Sequence, residues 1–289
     1  MEKYVIENQD SFDIVHIFEC GQCFRWNRID ENTYIGVIKG AVIKVKQEGK
    51  KLTFTGVSEK DFKDTIRYYF DLDTNYSEYK KELSNIDNFM KESIKFGSGI
   101  RILKQDLWEC IISFIISANN NIPRIKKIIE RISKEYGKKI EFEGNTYYEF
   151  PTPEELSRAS IEDLRALGTG FRDKRIFNTT QTILEKKVDL EKISKMENTQ
   201  DMRNELLKLD GVGPKVADCI LLFSLKRLDV FPIDVWVRRV MNDLYIHSEI
   251  EEKVNKTELQ KLAEEKFGSL AGMAQQYLFY WKREENKGA

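Results

Sequence analysis

Residues 206–240 read LLKLDGVGPKVADCILLFSLKRLDVFPIDVWVRRV. Within them, Gly211-Val212-Gly213 predicts a tight turn, because glycine accepts positive φ and lets another backbone approach closely. Pro214 suits the first position of a helix, where its missing N–H costs nothing. Free amides at such a turn and helix N-terminus attract a phosphate group. The stretch therefore predicts a hairpin between two helices, over about residues 200–226, that binds an anion.

Two side chains close to this hairpin could carry out chemistry. Lys215 lies in the first turn of the second helix, and Asp234 follows just after Phe231-Pro232. A lysine near the positive end of a helix is expected to lose its proton more readily, which suits an amine nucleophile. Taken singly, Lys215 could be a phosphate-binding or surface lysine, and Asp234 could be a helix N-cap.

The composition of the whole chain is that of a soluble globular protein. It has 289 residues, of which 41% are hydrophobic and 33% charged. No apolar run approaches the roughly 18 to 20 residues that span a membrane, and the first residues do not resemble a secretory signal. We therefore expect an intracellular protein, in the cytoplasm or nucleoid of a prokaryote or the nucleus of a eukaryote. The net charge of −1 means that any DNA contact must come from a local patch, for which the basic stretch 123–139 is the best candidate.

Short β-branched and aromatic runs at 34–38, 41–46 and 52–55 predict an antiparallel meander. After Ser58 the apolar residues recur at helical spacing. Further along the chain, Asp106 can cap a helix that is apolar nearly all round. We expect an α+β fold: an N-terminal antiparallel β-sheet domain with helices over residues 1–99, then an all-helical domain over 100–289. Within the second domain the patterns predict a basic helix from Pro123, a small hairpin at 139–150, a capped helix after Ser160, and helices at 171–186, 200–209, 214–225, 233–245, 256–267 and 270–282.

The cysteine pattern allows a different chemistry. Cys20 and Cys23 form a C-x-x-C pair near His16, a pattern that is also typical of zinc sites and of thiol redox sites. No second pair completes a four-ligand site, and no βαβ pattern surrounds this one. A thiol-based redox protein is the least favoured reading.

The order of hairpin, lysine and aspartate resembles the helix-hairpin-helix DNA glycosylases. The resemblance implies that Gly211, Gly213 and Val216 contact a DNA phosphate and that Lys215 and Asp234 are catalytic. Such an enzyme extrudes the target nucleotide into a pocket. Lys215 would attack the sugar C1′ and Asp234 would stabilise the developing oxocarbenium ion. The resulting Schiff base permits β-elimination of the 3′ phosphate, so a lysine here predicts glycosylase and strand-nicking lyase activity together.

Motifs outside the hairpin resemble the 8-oxoguanine DNA glycosylases of this superfamily. Residues 21–26, 119–124, 167–172 and 271–275 match the family's G-Q-x-F-R-W, N-N-N-I-x-R, L-G-x-G-Y-R and A-G-x-A-Q segments in order. The Gly21 carbonyl would accept the N7–H that distinguishes 8-oxoguanine from guanine. The resemblance implies a lesion-base pocket of Gly21, Cys219, Pro232, Gln275 and Phe279, and contacts to the unpaired cytosine from Asn119, Arg124 and Arg172, with Phe171 as a wedge in the base stack.

The resemblance also implies which molecules the protein binds and which cofactors it does not need. The partner is double-stranded DNA that contains 8-oxoguanine opposite cytosine, and the enzyme is expected to be a monomer without a membrane contact. No cofactor and no catalytic metal are expected, although a structural monovalent or divalent cation could bind at the hairpin. The four-cysteine motif of some superfamily members is absent after Val240, so an iron–sulfur cluster is not expected.

Two positions depart from the family pattern. Asp210 stands before the hairpin where proline is common and brings a negative charge close to the phosphate site. Trp236 stands where the best-known members carry a histidine that touches backbone phosphate, and an indole N–H could replace that contact.

Two further functions compete with an 8-oxoguanine glycosylase and lyase. A monofunctional alkylpurine DNA glycosylase of the same superfamily would share the architecture but lacks the lysine after the hairpin. A non-enzymatic hairpin module that binds DNA would explain Gly211 and Gly213 but not the pairing of Lys215 with Asp234.

Overall fold

The computed structural model describes residues 1–250 and 254–286. The chain forms an antiparallel sheet with helices first and an assembly of helices afterwards, so the predicted α+β class is confirmed. Within the described residues, no helix is both long enough and apolar enough to cross a membrane. The strands are β1 Lys3–Ile6, β2 Trp26–Asp30, β3 Thr33–Ile38, β4 Ala41–Glu48 and β5 Lys51–Thr55, with β6 Lys139–Phe142 and β7 Asn145–Tyr148 forming a separate hairpin.

The predicted meander is confirmed as β3, β4 and β5, and the structure adds one strand at each edge. The order is β1-β5-β4-β3-β2, and every pair is antiparallel. The last four residues of β2 are exposed, and β1 alternates exposed with half-buried positions. Edge strands with so little buried surface lack the apolar pattern that marks the central strands.

The aromatic core of the N-terminal part lies between the sheet and its helices. Trp26 is fully buried, stacks on Phe18 with ring centroids 4.2 Å apart, and donates a hydrogen bond of 2.9 Å to the Tyr69 hydroxyl. The helical segment that the sequence predicts after β5 is present, and Ser58 is its N-cap. The helices of this part are α1 Ile14–Glu19, α2 Glu59–Asp61, α3 Arg67–Tyr69, α4 Tyr76–Ser84 and α5 Asn88–Phe96, with a π-type turn at Phe62–Ile66 between α2 and α3.

The second part is organised around α6, which the sequence predicts to be buried. Nearly all of its side chains are buried, and Asp106 Oδ1 accepts the Glu109 N–H at 2.9 Å as its N-cap. The helices are α6 Leu107–Ser117, α7 Ile122–Tyr136, α8 Pro153–Leu156, α9 Ile161–Leu164, α10 Asp173–Leu184, α11 Leu190–Lys195, α12 Thr199–Leu206, α13 Pro214–Phe223, α14 Val235–Met241, α15 Lys256–Phe267 and α16 Ala271–Glu285.

Some helix ends differ from the predicted ranges for local reasons. α10 begins at Asp173 instead of residue 171, because Gly168 and Gly170 have positive φ and the chain first makes a 3₁₀ turn. α14 begins at Val235, because Asp234 has extended backbone and serves as its N-cap.

A buried cluster of charges joins the two parts of the chain. Asp71, which is 2% exposed, accepts from Lys104 Nζ at 2.8 Å, from Lys226 Nζ at 2.5 Å and from the Tyr76 hydroxyl at 2.8 Å. Asp71 and Tyr76 belong to the N-terminal part, whereas both lysines lie beyond residue 99, where the sequence predicts the domain boundary. α5 also packs on α16. The N-terminal sheet and its helices are therefore held directly against the helices that carry the hairpin.

Substitution of Asp71 by asparagine is expected to destabilise the protein strongly. Loss of the carboxylate leaves two partly buried ammonium groups unpaired, which lowers the free energy of unfolding by about 3 to 5 kcal/mol, measured by urea denaturation. Burial alone would raise the pKa of Asp71, but its hydrogen bonds to Lys104 and Lys226 lower it below the ordinary value. The stabilisation is therefore present above the ordinary aspartate range and is lost as pH falls through the lowered pKa.

Asp73→Asn provides the matched control. Asp73 pairs with Arg67 on the surface, where its side chain is 66% exposed, so its loss should change the free energy of unfolding by less than about 1 kcal/mol. Equal losses in the two variants would contradict the role assigned to Asp71.

Candidate active site

The predicted hairpin joins α12 to α13, and its geometry requires a glycine at position 211. Gly211 has φ of 85°, and a Cβ built on it would lie 3.0 Å from Arg175 Cβ. Gly213 is the N-cap of α13, and within the described chain no side chain caps this helix. The first amides of α13, to which Val216 contributes, are therefore left to a ligand. This geometry supports the phosphate site that the sequence predicts.

Asp210, one of the two departures from the family pattern, is tied to α10. Its side chain accepts from Asn178 Nδ2 at 2.7 Å, and its carbonyl accepts from Thr179 Oγ1 at 2.8 Å. These bonds fix the start of the hairpin to α10, so the carboxylate has a structural role at this position.

Lys215, Cys219 and Asp234 lie together beside the hairpin. Lys215 is half-buried in the first turn of α13, with Nζ 5.8 Å from the centroid of the Phe114 ring. Cys219, one turn later, is 4% exposed, and it lies close enough to Lys215 to affect the pKa of the amine. Asp234 is half-buried, and its Oδ1 accepts the Val237 N–H at 2.8 Å, so it also caps α14. The loop that contains buried Pro232 leads directly into Asp234.

The electrostatics of this group correct one expectation from the sequence. Burial lowers the pKa of Lys215, but Cys219 and the Asp234 carboxylate raise it, and the net pKa lies above the ordinary lysine value. The prediction of a lysine that loses its proton readily is therefore wrong for the free protein. The prediction considered the helix dipole alone, whereas in the folded chain the side chains of Cys219 and Asp234 act in the opposite direction. Burial also raises the pKa of Cys219 to about 11, so this side chain is a neutral thiol at neutral pH.

Three of the residues predicted for the lesion-base pocket, Gly21, Gln275 and Phe279, lie on the segment around Gly21 and on α16. Gly21 has φ of 88°, and a Cβ built on it would lie 3.5 Å from Phe279 Cε1. Gln275 is 5% exposed, and its Oε1 accepts from Gln276 Nε2 at 2.9 Å. The structure thus places Gly21 next to Phe279 and holds Gln275 one turn earlier on the same helix.

A hydrogen-bond bridge connects the Gly21 segment with α13. Gln105 Nε2 donates to the Gln22 carbonyl at 2.7 Å and to the Phe223 carbonyl at 3.2 Å. The Gln22 side chain in turn bonds to the backbone of Ile17, Arg101 and Leu103. These bonds give the loop a fixed position relative to the helix that carries Lys215 and Cys219.

The residues predicted to face the unpaired cytosine form a second cluster. Phe171 is 56% exposed, and the Arg172 guanidinium lies 4.2 Å from its ring centroid. Arg172 is buried and donates to the Asn119 carbonyl at 2.9 Å and to the Ala118 carbonyl. Burial lowers the pKa of Arg172, and the nearby guanidinium of Arg124, which is exposed, lowers it further. The exposed aromatic ring of Phe171, with arginine side chains close to it, suits a wedge that enters a base stack.

The remaining predicted features have structural explanations. Burial raises the pKa of Cys20 to about 11 and that of Cys23 well above the ordinary value, which does not suit redox chemistry. In the part of the chain that the structure describes, no group of three His, Cys, Asp or Glu is placed to hold a metal ion. The Trp236 indole N–H is buried and, within the described residues, has no hydrogen-bond partner, and its contact with a phosphate stays a prediction. The basic stretch forms α7, on which Arg124, Lys127, Arg131 and Lys134 are exposed.

The structure also shows residues that the sequence did not single out. A cleft of about 590 Å³ beside Lys215 is lined by α13 and by Arg203 and Gln260 of the neighbouring helices. Arg175 lies against Gly211 and 5.4 Å from the Phe171 ring centroid, so it touches both the hairpin and the wedge. Arg283 lies next to Gly21 and Phe279. A spacing of four residues between Gln275, Phe279 and Arg283 was the one sequence signal for the last of these.

Comparisons with known proteins agree with this arrangement. Residues 112–265 match the family model described as HhH-GPD superfamily base excision DNA repair protein, and residues 4–111 match the 8-oxoguanine DNA glycosylase, N-terminal domain. The hairpin, the lysine and the aspartate thus belong to a base excision DNA repair protein of the helix-hairpin-helix class.

Individual relatives and a solved structure identify the family within this superfamily. The probable N-glycosylase/DNA lyase of Methanothermobacter thermautotrophicus is 35% identical over 78% of this chain and 76% of its own length. The N-glycosylase/DNA lyase of Saccharomyces cerevisiae is 32% identical over 94% of this chain and 84% of its own. The structure of Clostridium acetobutylicum 8-oxoguanine glycosylase/lyase in complex with dsDNA containing cytosine opposite to 8-oxoG covers 99% of this chain and 98% of that one, with 43% identity and a TM-score of 0.94. This chain belongs to the 8-oxoguanine DNA glycosylase family.

Proposed function

We propose that this protein is a bifunctional 8-oxoguanine DNA glycosylase and AP lyase that acts on 8-oxoguanine opposite cytosine in duplex DNA. The observation that carries the proposal is the placement of Lys215 between the hairpin and Asp234, in a chain whose two parts both match this family. The amine supplies a nucleophile, the carboxylate supplies negative charge, and the uncapped start of α13 supplies a place for phosphate. The enzyme acts in base excision repair.

The reaction follows from these groups. Neutral Lys215 attacks C1′ of the flipped nucleotide while the C1′–N9 bond breaks and its electron pair leaves with the base. Asp234, held as the N-cap of α14, stabilises positive charge on the sugar. Loss of a proton and ring opening give a Schiff base between Lys215 and C1′. Removal of the C2′ proton then expels the 3′ phosphate and nicks the strand.

The competing functions lose support at specific positions. An alkylpurine glycosylase that is monofunctional needs no lysine at the start of α13, yet Lys215 is there and pairs electrostatically with Asp234. A hairpin module that only binds DNA gives no reason for a lysine and a carboxylate held together at this place. The match of residues 4–111 to the N-terminal domain of the 8-oxoguanine enzymes also separates this chain from both alternatives.

The attack at C1′ needs only an amine and a carboxylate, both of which the chain supplies, so we propose no cofactor and no catalytic metal. A cation bound by hairpin carbonyls would be structural. We infer that the protein works as a monomer, inside the cell, where its DNA substrate is. Elution as a single chain of 34.0 kDa in size-exclusion chromatography with light scattering would support the monomer, and a stable dimer would contradict it.

A panel of duplexes tests the proposed substrate. We expect release of free 8-oxoguanine and a strand nick from the duplex with 8-oxoguanine opposite cytosine, and little release from undamaged guanine. Preferential release of an alkylated purine without a nick would favour the monofunctional alternative. Duplex binding with no base released from any substrate would contradict enzymatic activity.

The raised pKa of Lys215 predicts a strong dependence of rate on pH. The attacking amine must be neutral, and the Asp234 carboxylate favours the protonated form of Lys215. The neutral fraction, and with it the single-turnover rate of base excision, should rise by about tenfold per pH unit as long as pH stays below that pKa. A rate that is flat or falls between neutral and mildly alkaline pH would show that DNA binding has already deprotonated the lysine.

Arg124 is expected to determine which base is accepted opposite the lesion. Arg124→Ala removes an exposed guanidinium beside Gly170 and Arg172, so the preference for cytosine over adenine should fall by about tenfold or more, because a good contact to a base edge discriminates by about 1 to 3 kcal/mol. The measurement is the ratio of excision rates on the two duplexes. Lys127→Ala, on the same helix, should weaken binding to both duplexes alike. An unchanged ratio in Arg124→Ala would contradict the assignment.

A further inference from the structure

Arg283 extends the face of α16 that carries the base-pocket residues. Gln275, Phe279 and Arg283 follow one another at intervals of four, so their side chains lie along one face of the helix. The Arg283 guanidinium lies 5.3 Å from the Phe279 ring centroid, and its side chain is 14% exposed. A cation is therefore enclosed in the protein next to the ring expected to stack on the lesion base.

One nitrogen of this guanidinium has no hydrogen-bond partner among the residues that the structure describes. Nε donates to Glu284 Oε1 at 3.0 Å, and Nη2 donates to the Glu19 carbonyl. Nη1 is buried and, among the described residues, forms no hydrogen bond. A Cβ built on Gly21 would lie 3.2 Å from this Nη1 atom. An unpaired N–H of a buried charged group is costly, so such an atom is expected where a ligand brings the missing acceptor.

The chemistry of the lesion supplies an acceptor at this point. Oxidation of guanine to 8-oxoguanine changes two adjacent groups: N7 becomes an N–H donor, and C8 gains a carbonyl oxygen. The Gly21 carbonyl, in its proposed role, reads only the first change. A donor directly beside Gly21 is suitably placed to read the second.

We propose that Arg283 Nη1 donates a hydrogen bond to the C8 carbonyl oxygen of the flipped 8-oxoguanine, so that Gly21 and Arg283 together read both atoms that oxidation changes. The inference rests on the proposed function, in which the base enters the pocket between Gly21 and Phe279. Because Arg283 also binds the Glu19 carbonyl, it fixes the loop that carries Gly21. The test must therefore separate a direct contact with the base from this support of the loop.

Binding of Arg283→Met to three duplexes makes that separation. All measurements use Lys215→Gln protein, so that the DNA is not cleaved, and compare 8-oxoguanine, 7-deaza-8-oxoguanine and guanine opposite cytosine. The 7-deaza analogue keeps the C8 oxygen but has no N7–H for Gly21. Arg283→Met should weaken binding of 8-oxoguanine and of its 7-deaza analogue by about the same factor, on the order of tenfold, and leave guanine unchanged.

Other results would overturn the proposal. A loss on 8-oxoguanine but none on the 7-deaza analogue would mean that Arg283 acts only by positioning Gly21. An equal loss on all three duplexes, or no loss at all, would mean that Arg283 does not contact the C8 oxygen. Lys282→Met is the matched control, because it removes a neighbouring charge whose partner is Glu285. Should Arg283→Met fail to fold, as judged by thermal unfolding, Arg283→Lys keeps the charge and takes the same three measurements.

A second readout distinguishes failure of this proposal from failure of the proposed function. In proteins that keep Lys215, Arg283→Met should slow excision of 8-oxoguanine more than it slows nicking of an abasic-site duplex, which contains no base. If the unaltered enzyme itself neither excises 8-oxoguanine nor prefers it to guanine, the proposed function fails. If it does both and Arg283→Met behaves identically, only the role of Arg283 fails.

Discussion

Replacement of Lys215 by glutamine is expected to abolish the covalent adduct that borohydride traps between the protein and nicked DNA. Glutamine has no amine to attack C1′, so no Schiff base can form. Excision and strand nicking in single-turnover assays should fall on the order of 10⁴-fold or more, as the loss of a catalytic nucleophile usually does. The side chain is half-buried next to Cys219, and glutamine can fill most of its space, so the fold should be retained.

Lys208→Gln is the control for this result. Lys208 lies just before the hairpin, is 55% exposed and pairs with Glu205, so its loss removes a nearby positive charge without touching the reacting atoms. It should trap DNA as the unaltered protein does. Persistent trapping by Lys215→Gln would mean that a different amine is the nucleophile.

Replacement of Asp234 by asparagine should give the second largest effect. An amide carries no charge to stabilise the oxocarbenium-like sugar, so the single-turnover rate of base excision should fall by about 10²- to 10³-fold. Asparagine is as good an N-cap as aspartate, so the bond to the Val237 N–H and the start of α14 should survive. The variant thereby separates the charge of Asp234 from its role as a cap.

The pH profile provides an independent check on the same variant. Because the Asp234 carboxylate raises the pKa of Lys215, its loss should lower that pKa, and the rise of rate with pH should level off at lower pH. Asp243→Asn, which removes an exposed carboxylate beyond the end of α14, should change neither rate nor profile. Full activity of Asp234→Asn with an unshifted profile would contradict both roles.

The parts of the molecule that the sequence predicted well have local signals. The glycines of the hairpin, Pro214 at the start of α13 and the Asp106 cap of α6 depend on residues within a few positions of one another. The apolar pattern of α6 and of the central strands reflects burial on one or both faces. The motifs around Gly21, Asn119, Phe171 and Gln275 could be recognised because they lie in one order along the chain.

The parts that it missed depend on contacts between distant residues. The pKa of Lys215 depends on Cys219, one helical turn away, and on Asp234, which only the folded chain brings beside it. Arg283 reaches Glu19 across 264 positions of sequence, and no local pattern reports such a contact. The edge strands β1 and β2 bury too little surface to show a periodic signal. Site residues can thus be named from motifs, but their protonation states require the structure.

The most direct test of the central claim is to map the amine that becomes attached to DNA. After borohydride reduction on a duplex with 8-oxoguanine opposite cytosine, proteolysis and mass spectrometry should find the sugar remnant on the peptide that contains Lys215, and on no other lysine. An adduct on another lysine or on the amino terminus would contradict the mechanism. Release of free 8-oxoguanine with no adduct at all would show that water, not Lys215, attacks C1′.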